Sequence, residues 1–155
     1  RAFLELLEDA QQVVFYQEQP FRVPYEAQGR LHHTYPDVFL VLADGRGVVV
    51  EVAPPFEMAA KENWSKWPGL RAFCRERGYG LLITDGRRTF QSVSRSEARP
   101  EVRESLLAAL DEGPMDWTAY RAWRETSGIT VGELCAIIIR ERLTWQLRPF
   151  WLARE

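Results

Sequence analysis

The chain has 155 residues, 46% hydrophobic and 27% charged, with a formal net charge of -2; that suffices for one full core, or a medium core with a small appendage, and excludes a global basic field, so any nucleic-acid contact needs a local patch. Its apolar runs are too short to span a bilayer and no signal-peptide pattern opens it, so no membrane partner is expected. The two cysteines, Cys74 and Cys135, follow no metal-ligand spacing and read as reduced thiols of a cytoplasmic protein.

In chain order, "AFLELLEDA" gathers Phe3, Leu4, Leu6 and Leu7 on one helical face. The start is already helical in pattern and lacks an initiator Met, so a preceding segment is expected. "VVFYQ" (13–17) and "FRVPYEA" (21–27) read as strands flanking Gln19-Pro20, with Pro24 pushing the second towards a sheet edge, and "QGRLHH" as a turn. His32 and His33 are adjacent, so their rings point to opposite faces, which suits strand-edge residues better than a metal site. "YPDVFLVLADGRGVVVEVAPP" (35–55) is a hairpin around "DGRG". Two prolines end its second strand. A helix then starts near Phe56, is broken or kinked at Pro68-Gly69, and stops at Gly78. "YGLLITD" (79–85) is a short buried strand, "GRR" a turn, "TFQSVS" a weaker strand, and "PEVRESLLAALDEG" a helix ending at Gly113.

After "EGP" the composition shifts. "MDWTAYRAWRET" is an amphipathic helix, Thr130 and Glu133 form a capping box for "VGELCAIIIRER", and "LTWQLRPFWLARE" reads as a hairpin or wing. The expected division is an α/β core over 1–113 and a helix–helix–hairpin tail over 114–155. Strand 79–85 follows a helix, so it is expected to lie parallel to 48–53 through a crossover, giving a mixed sheet flanked by helices.

The hairpin raises a chemical question, because Glu51 follows three valines. Burying an unpaired carboxylate costs several kcal/mol, so roughly that much must be offset by a partner. With the turn centred on Gly45-Arg46, Asp37 is expected opposite position 54, near the end of "EVA". Two carboxylates converging there would be relieved by Mg²⁺, which takes one or two carboxylates plus waters and phosphate oxygens. The alternative is structural: Glu51 exposed or paired with Arg22 or Arg30, and Asp37 capping a turn.

"YPDVFLVLADGRGVVVEVAPP" resembles the P-D…(D/E)-x-K signature of the restriction-endonuclease-like nucleases. With "VVFYQEQPFRVPY" before it and "KENWSKW…FCRERGYGLLITD" after it, the chain is similar to the TnsA-type transposon endonucleases over residues 1 to 90. The C-terminal segment resembles the small winged-helix-like tail of such proteins. The resemblance implies a restriction-endonuclease-like α/β fold and a DNA endonuclease using Mg²⁺ or Mn²⁺. It implies DNA and a transposase subunit as partners, and a homodimer is also allowed. It assigns the metal to Asp37, Glu51 and the carbonyl of Val52, and a bracing role to Gln19. The family's first-helix glutamate would fall just before Arg1, with Glu5 and Glu8 as substitutes.

The family's lysine position is Ala53. Losing one preorganised charge beside a scissile phosphate typically costs about 100- to 1000-fold in rate. Three explanations stay open. The lysine has moved to the next helix as Lys66 or Lys61, the chain's only lysines; the protein is a degraded nuclease that binds DNA or assembles a complex; or Ala53 is engineered. For DNA contact the candidates are Arg87 and Arg88 in the "GRR" turn and Arg140 and Arg142 at the basic end of the penultimate helix. The tail aromatics suit base stacking, but a unit that small also needs them for its core.

Overall fold

The computed structural model describes residues 2–154. They form two compact units. The first runs to Glu57 and resumes over Lys61–Thr89; the second takes Met58–Ala60 and the chain from Phe90 on. By contacts, the chain passes from the first unit to the second at Phe90, and the expected boundary at 113 lies within the second. Among the described residues no helix is long and apolar enough to cross a membrane.

In the first unit, α1 (Ala2–Asp9) and β1 (Val13–Glu18) precede a hairpin of β2 (Val23–Ala27) and β3 (Arg30–Thr34). Then follow β4 (Val38–Leu42), β5 (Gly47–Val52), α2 (Pro55–Met58), α3 (Lys61–Arg77) and β6 (Gly80–Thr84). The main sheet has the order β1-β4-β5-β6. Its first three strands are antiparallel; β6 joins β5 in parallel, as the intervening helix requires. The α/β mixed sheet expected from the sequence is present.

Strand periodicity sorts the side chains. Val38, Leu40 and Val50 pack with Leu7 of α1, and Phe3, Leu4, Val48 and Val52 border them. The odd-numbered residues face the other way. There Phe39 meets Phe21 and Tyr79, and Phe21 meets Phe73 of α3. Strand β5 is covered on both faces, with Val49 and Val50 fully buried, which accounts for its continuous valine run.

Two local expectations are corrected here. "QGRLHH" is mostly strand: the turn shrinks to Gln28 and Gly29, both at positive φ, and β3 starts at Arg30. That pair of left-handed residues makes the tight two-residue hairpin. A helix does begin near Phe56, but it is the short α2, which ends at Met58; a separate helix starts at Lys61 and continues through Pro68 and Gly69. Gly69 is where β2 crosses α3, and a Cβ there would stand 2.4 Å from the Tyr25 Cβ. We expect Gly69→Ala to cost about 1–3 kcal/mol through overpacking, read as a lower urea midpoint.

The second unit holds α4 (Phe90–Arg95), α5 (Pro100–Asp111), β7 (Met115–Asp116), α6 (Trp117–Ser127), α7 (Val131–Glu141), β8 (Thr144–Leu147) and β9 (Phe150–Ala153). Its sheet has the order β7-β9-β8, antiparallel throughout. The segment "TFQSVS" gives helix α4 and not a strand. Arg140 reaches the carbonyls of Ser94 and Arg95 at 3.2 and 3.1 Å, closing the end of that helix. Helix α5 belongs to this unit because Arg103 pairs with Glu141, Arg99 with Glu133 and Arg154 with Asp111. Leu106, Leu134, Ile137, Ile138, Leu143 and Leu152 are its buried centre.

The expected capping box is present. Arg99 also donates to both Glu133 carboxylate oxygens, at 2.8 and 3.2 Å. The Arg99 hydrogen bonds, then those from Thr130, hold the Glu133 carboxyl down at about 2. A depressed carboxyl stabilises the fold above the ordinary carboxylate range and loses that contribution as pH falls through its folded value. Glu133→Gln should therefore lower the urea midpoint at neutral pH, and its gap from wild type should shrink between about pH 5 and pH 2.

Candidate functional site

Asp37 stands just before β4, and Glu51 is the penultimate residue of β5. Val38 pairs with Val50, so the register continues to place Asp37 opposite Glu51 and not opposite position 54. The turn is the reason. Leu42 N–H donates to the Arg46 carbonyl and Gly45 N–H to the Leu42 carbonyl, while Asp44 accepts from both N–H and Nε of Arg46. These bonds centre the loop on Asp44. Residues directly opposite in an antiparallel pair share a face, so both carboxylates lie on the α3 side of the sheet.

Their surroundings differ. Asp37 is exposed, and its Oδ2 accepts from the Val52 N–H at 2.7 Å, extending the ladder with a side chain. Glu51 is 5% exposed. Its Oε2 lies 2.5 Å from Lys66 Nζ, whereas Oε1 is buried and has no hydrogen-bond partner among the described residues. Burial pushes the Glu51 carboxyl up, the Lys66 hydrogen bond and charge pull it down, and the charges of Asp37 and Glu57 push it up again; the balance is upward. A cleft of about 160 Å³ opens over this pair, lined by Tyr35, Asp37, Glu51, Val52, Ala53, Glu57, Asn63, Lys66 and Trp67.

The two lysines separate clearly. Lys66, one turn into α3, enters the cleft and bonds Glu51; Lys61, the first residue of α3, is exposed and does not line it. Ala53 is 6% exposed and its N–H donates to the Thr84 carbonyl at 2.9 Å. Gln19 touches the pair through its backbone: its N–H donates to the Asp37 carbonyl at 2.9 Å, with Gln19 at φ 43°. Glu5 and Glu8 are exposed on α1 and line no part of the cleft; Glu8 accepts from the Tyr16 hydroxyl at 3.1 Å. A glutamate before Arg1 lies outside the described residues.

Glu57 and Asn63 were not anticipated. Both line the cleft, and Asn63 Nδ2 donates to the Glu57 carbonyl at 2.8 Å. The available signal was an acidic first turn soon after Glu51. Among the described residues no three His, Cys, Asp or Glu side chains converge tightly enough to hold a metal. The donor set that does converge is Asp37 and Glu51. It fits a hard cation that takes one or two carboxylates and completes its shell with water or phosphate oxygens. The orphaned, buried Glu51 Oε1 supports that fit, since an unmet anionic oxygen there is costly.

The arginine candidates fare unequally. Asp85 Oδ1 accepts from the N–H groups of Arg87 and Arg88 at 2.8 and 2.6 Å, and Arg88 Nε bonds the same carboxylate. The Arg87 side chain is exposed. Arg140 is committed to the carbonyls that end α4, whereas Arg142 is exposed at the left-handed end of α7. Residues 134–138 of α7 are all buried, and five consecutive positions cover every direction around a helix. This helix therefore presents no free central face.

No known family model matches the chain, and no curated protein matches it either.

Proposed function

We propose that this chain is a Mg²⁺- or Mn²⁺-dependent DNA endonuclease of restriction-endonuclease-like fold. In this proposal it resembles TnsA-type enzymes and cuts a strand at a transposon end together with a transposase subunit. The observation that carries the proposal is the buried Glu51 Oε1, without a partner among the described residues, on the residue that the register sets opposite Asp37. Two features of the topology agree with it. The first unit runs helix, three antiparallel strands, helix, parallel strand once the β2–β3 hairpin is set aside. The second runs α5-β7-α6-α7-β8-β9 around a three-stranded sheet, in the manner of a winged helix.

Asp37 and Glu51 would hold the cation, which when bound polarises the phosphoryl group and lowers the pKa of a water nucleophile. The chain's own residues do the rest. Lys66 pulls the Glu51 carboxyl down against the upward push of burial, and it brings a positive charge into the cleft. It thereby answers for the lysine missing at Ala53. The Val52 N–H and the backbone bond from Gln19 fix Asp37 at the rim.

Nicking of supercoiled plasmid with Mn²⁺ tests the proposal. Wild type is expected to nick, and Ala53→Lys to nick no faster, because the cleft already holds its lysine. A gain of about 100-fold in Ala53→Lys would mark the wild-type site as degraded. Tight DNA binding with no nicking would favour an assembly subunit instead.

A further inference from the structure

A second cleft, of about 200 Å³, shares two lining residues with the first, Asp37 and Val52. Its walls are Phe3 and Leu4 of α1 and Glu18 and Gln19 at the end of β1. Two carboxylates border it, so a phosphate is repelled from it. What the walls suit is a flat, neutral group. Phe3 offers an aromatic surface, Glu18 is an acceptor of the kind that takes the exocyclic amine of cytosine, and the Gln19 amide can both donate and accept. The Gln19 backbone is held in the left-handed region by its bond to the Asp37 carbonyl, which ties this groove to the site beside it.

We infer that this groove takes the base of the nucleotide next to the cut phosphate. The inference rests on the nuclease proposed above and adds a substrate class to it. A base inside a duplex is stacked and paired and enters such a groove only by being unstacked and unpaired, which costs free energy. The preferred substrate strand therefore presents an unpaired nucleotide beside the scissile phosphate, as in a bubble, a flap or an overhang.

The probes are a mixed-sequence duplex with a short internal bubble carrying 2-aminopurine and its fully paired counterpart, bound in Ca²⁺ and cut in Mn²⁺. The wild-type chain should bind and cut the bubble about tenfold better than the paired duplex, and change the 2-aminopurine emission. Phe3→Leu, which keeps an apolar side chain but removes the ring, and Glu18→Ala should each bring the bubble-to-duplex ratio close to one. Glu51→Gln, which lies outside the groove, should stop cutting yet keep the emission change. Equal ratios in wild type, Phe3→Leu and Glu18→Ala, or no binding of either probe, would overturn the base groove. Cutting that depends on Glu51 but ignores pairing would leave the nuclease standing and remove only the groove. An emission change that depends on Phe3, without cutting, would do the reverse.

Discussion

Asparagine at position 37 is expected to slow Mn²⁺-dependent plasmid nicking by at least about 100-fold while leaving the fold intact. The substitution is close to isosteric. Its amide oxygen can still accept from the Val52 N–H, as the Asp37 side chain does, so the urea midpoint should barely move. What disappears is the negative charge at the rim of the cleft, one of the two that would hold the cation. Because the effect is electrostatic, raising Mn²⁺ should recover part of the rate if binding is merely weakened. Nicking at the wild-type rate would mean that Asp37 is a turn residue with no part in the chemistry.

The largest effect on stability is expected from Lys66→Met. Glu51 is almost completely buried, and Lys66 is its hydrogen-bonded counter-ion at 2.5 Å. Removing one partner of a buried pair typically costs about 3–5 kcal/mol, because a charge is stranded. The pH dependence has a definite sign. The Glu51 carboxyl already sits above its ordinary value because it is buried, and losing Lys66 removes the influence that pulls it down. A carboxyl raised in the folded state carries its penalty at high pH and sheds it as pH falls towards the ordinary carboxylate range. The variant should therefore be weakest in alkaline buffer, and its gap from wild type should narrow on acidification. Mn²⁺ should raise its midpoint more than that of wild type, since a cation replaces the missing charge. Urea titrations at high and low pH, with and without Mn²⁺, check all three expectations.

The parts of this fold that were legible in the sequence rest on local signals. The valine run gave a buried strand, the Thr130–Glu133 pair gave a capped helix, and a helix between two apolar runs gave a parallel crossover. The meeting of Asp37 and Glu51 was legible in kind but not in register, because the loop is centred by the Asp44 carboxylate holding Arg46 and not by the Gly45-Arg46 dipeptide. The helix at "TFQSVS" was hidden, since its end is closed by Arg140 from far along the chain. Arg140 drew notice as a basic side chain for the same reason: sequence displays its charge and conceals the carbonyls it serves. The place of α5 was hidden too, being set by Arg99 and Arg103 reaching α7. Glu18 and Glu57 escaped because a single acidic residue carries no periodic signal; only the cleft walls select them.

The nuclease proposed here depends on one cation shared by Asp37 and Glu51. Titration of Mn²⁺ followed by electron paramagnetic resonance tests that sharing directly, without DNA and without turnover. Wild type should bind one ion per chain, Asp37→Asn and Glu51→Gln should each lose most of the affinity, and the double variant should be no worse than the weaker single one. Undiminished binding in Glu51→Gln, or no bound ion in wild type, would contradict it.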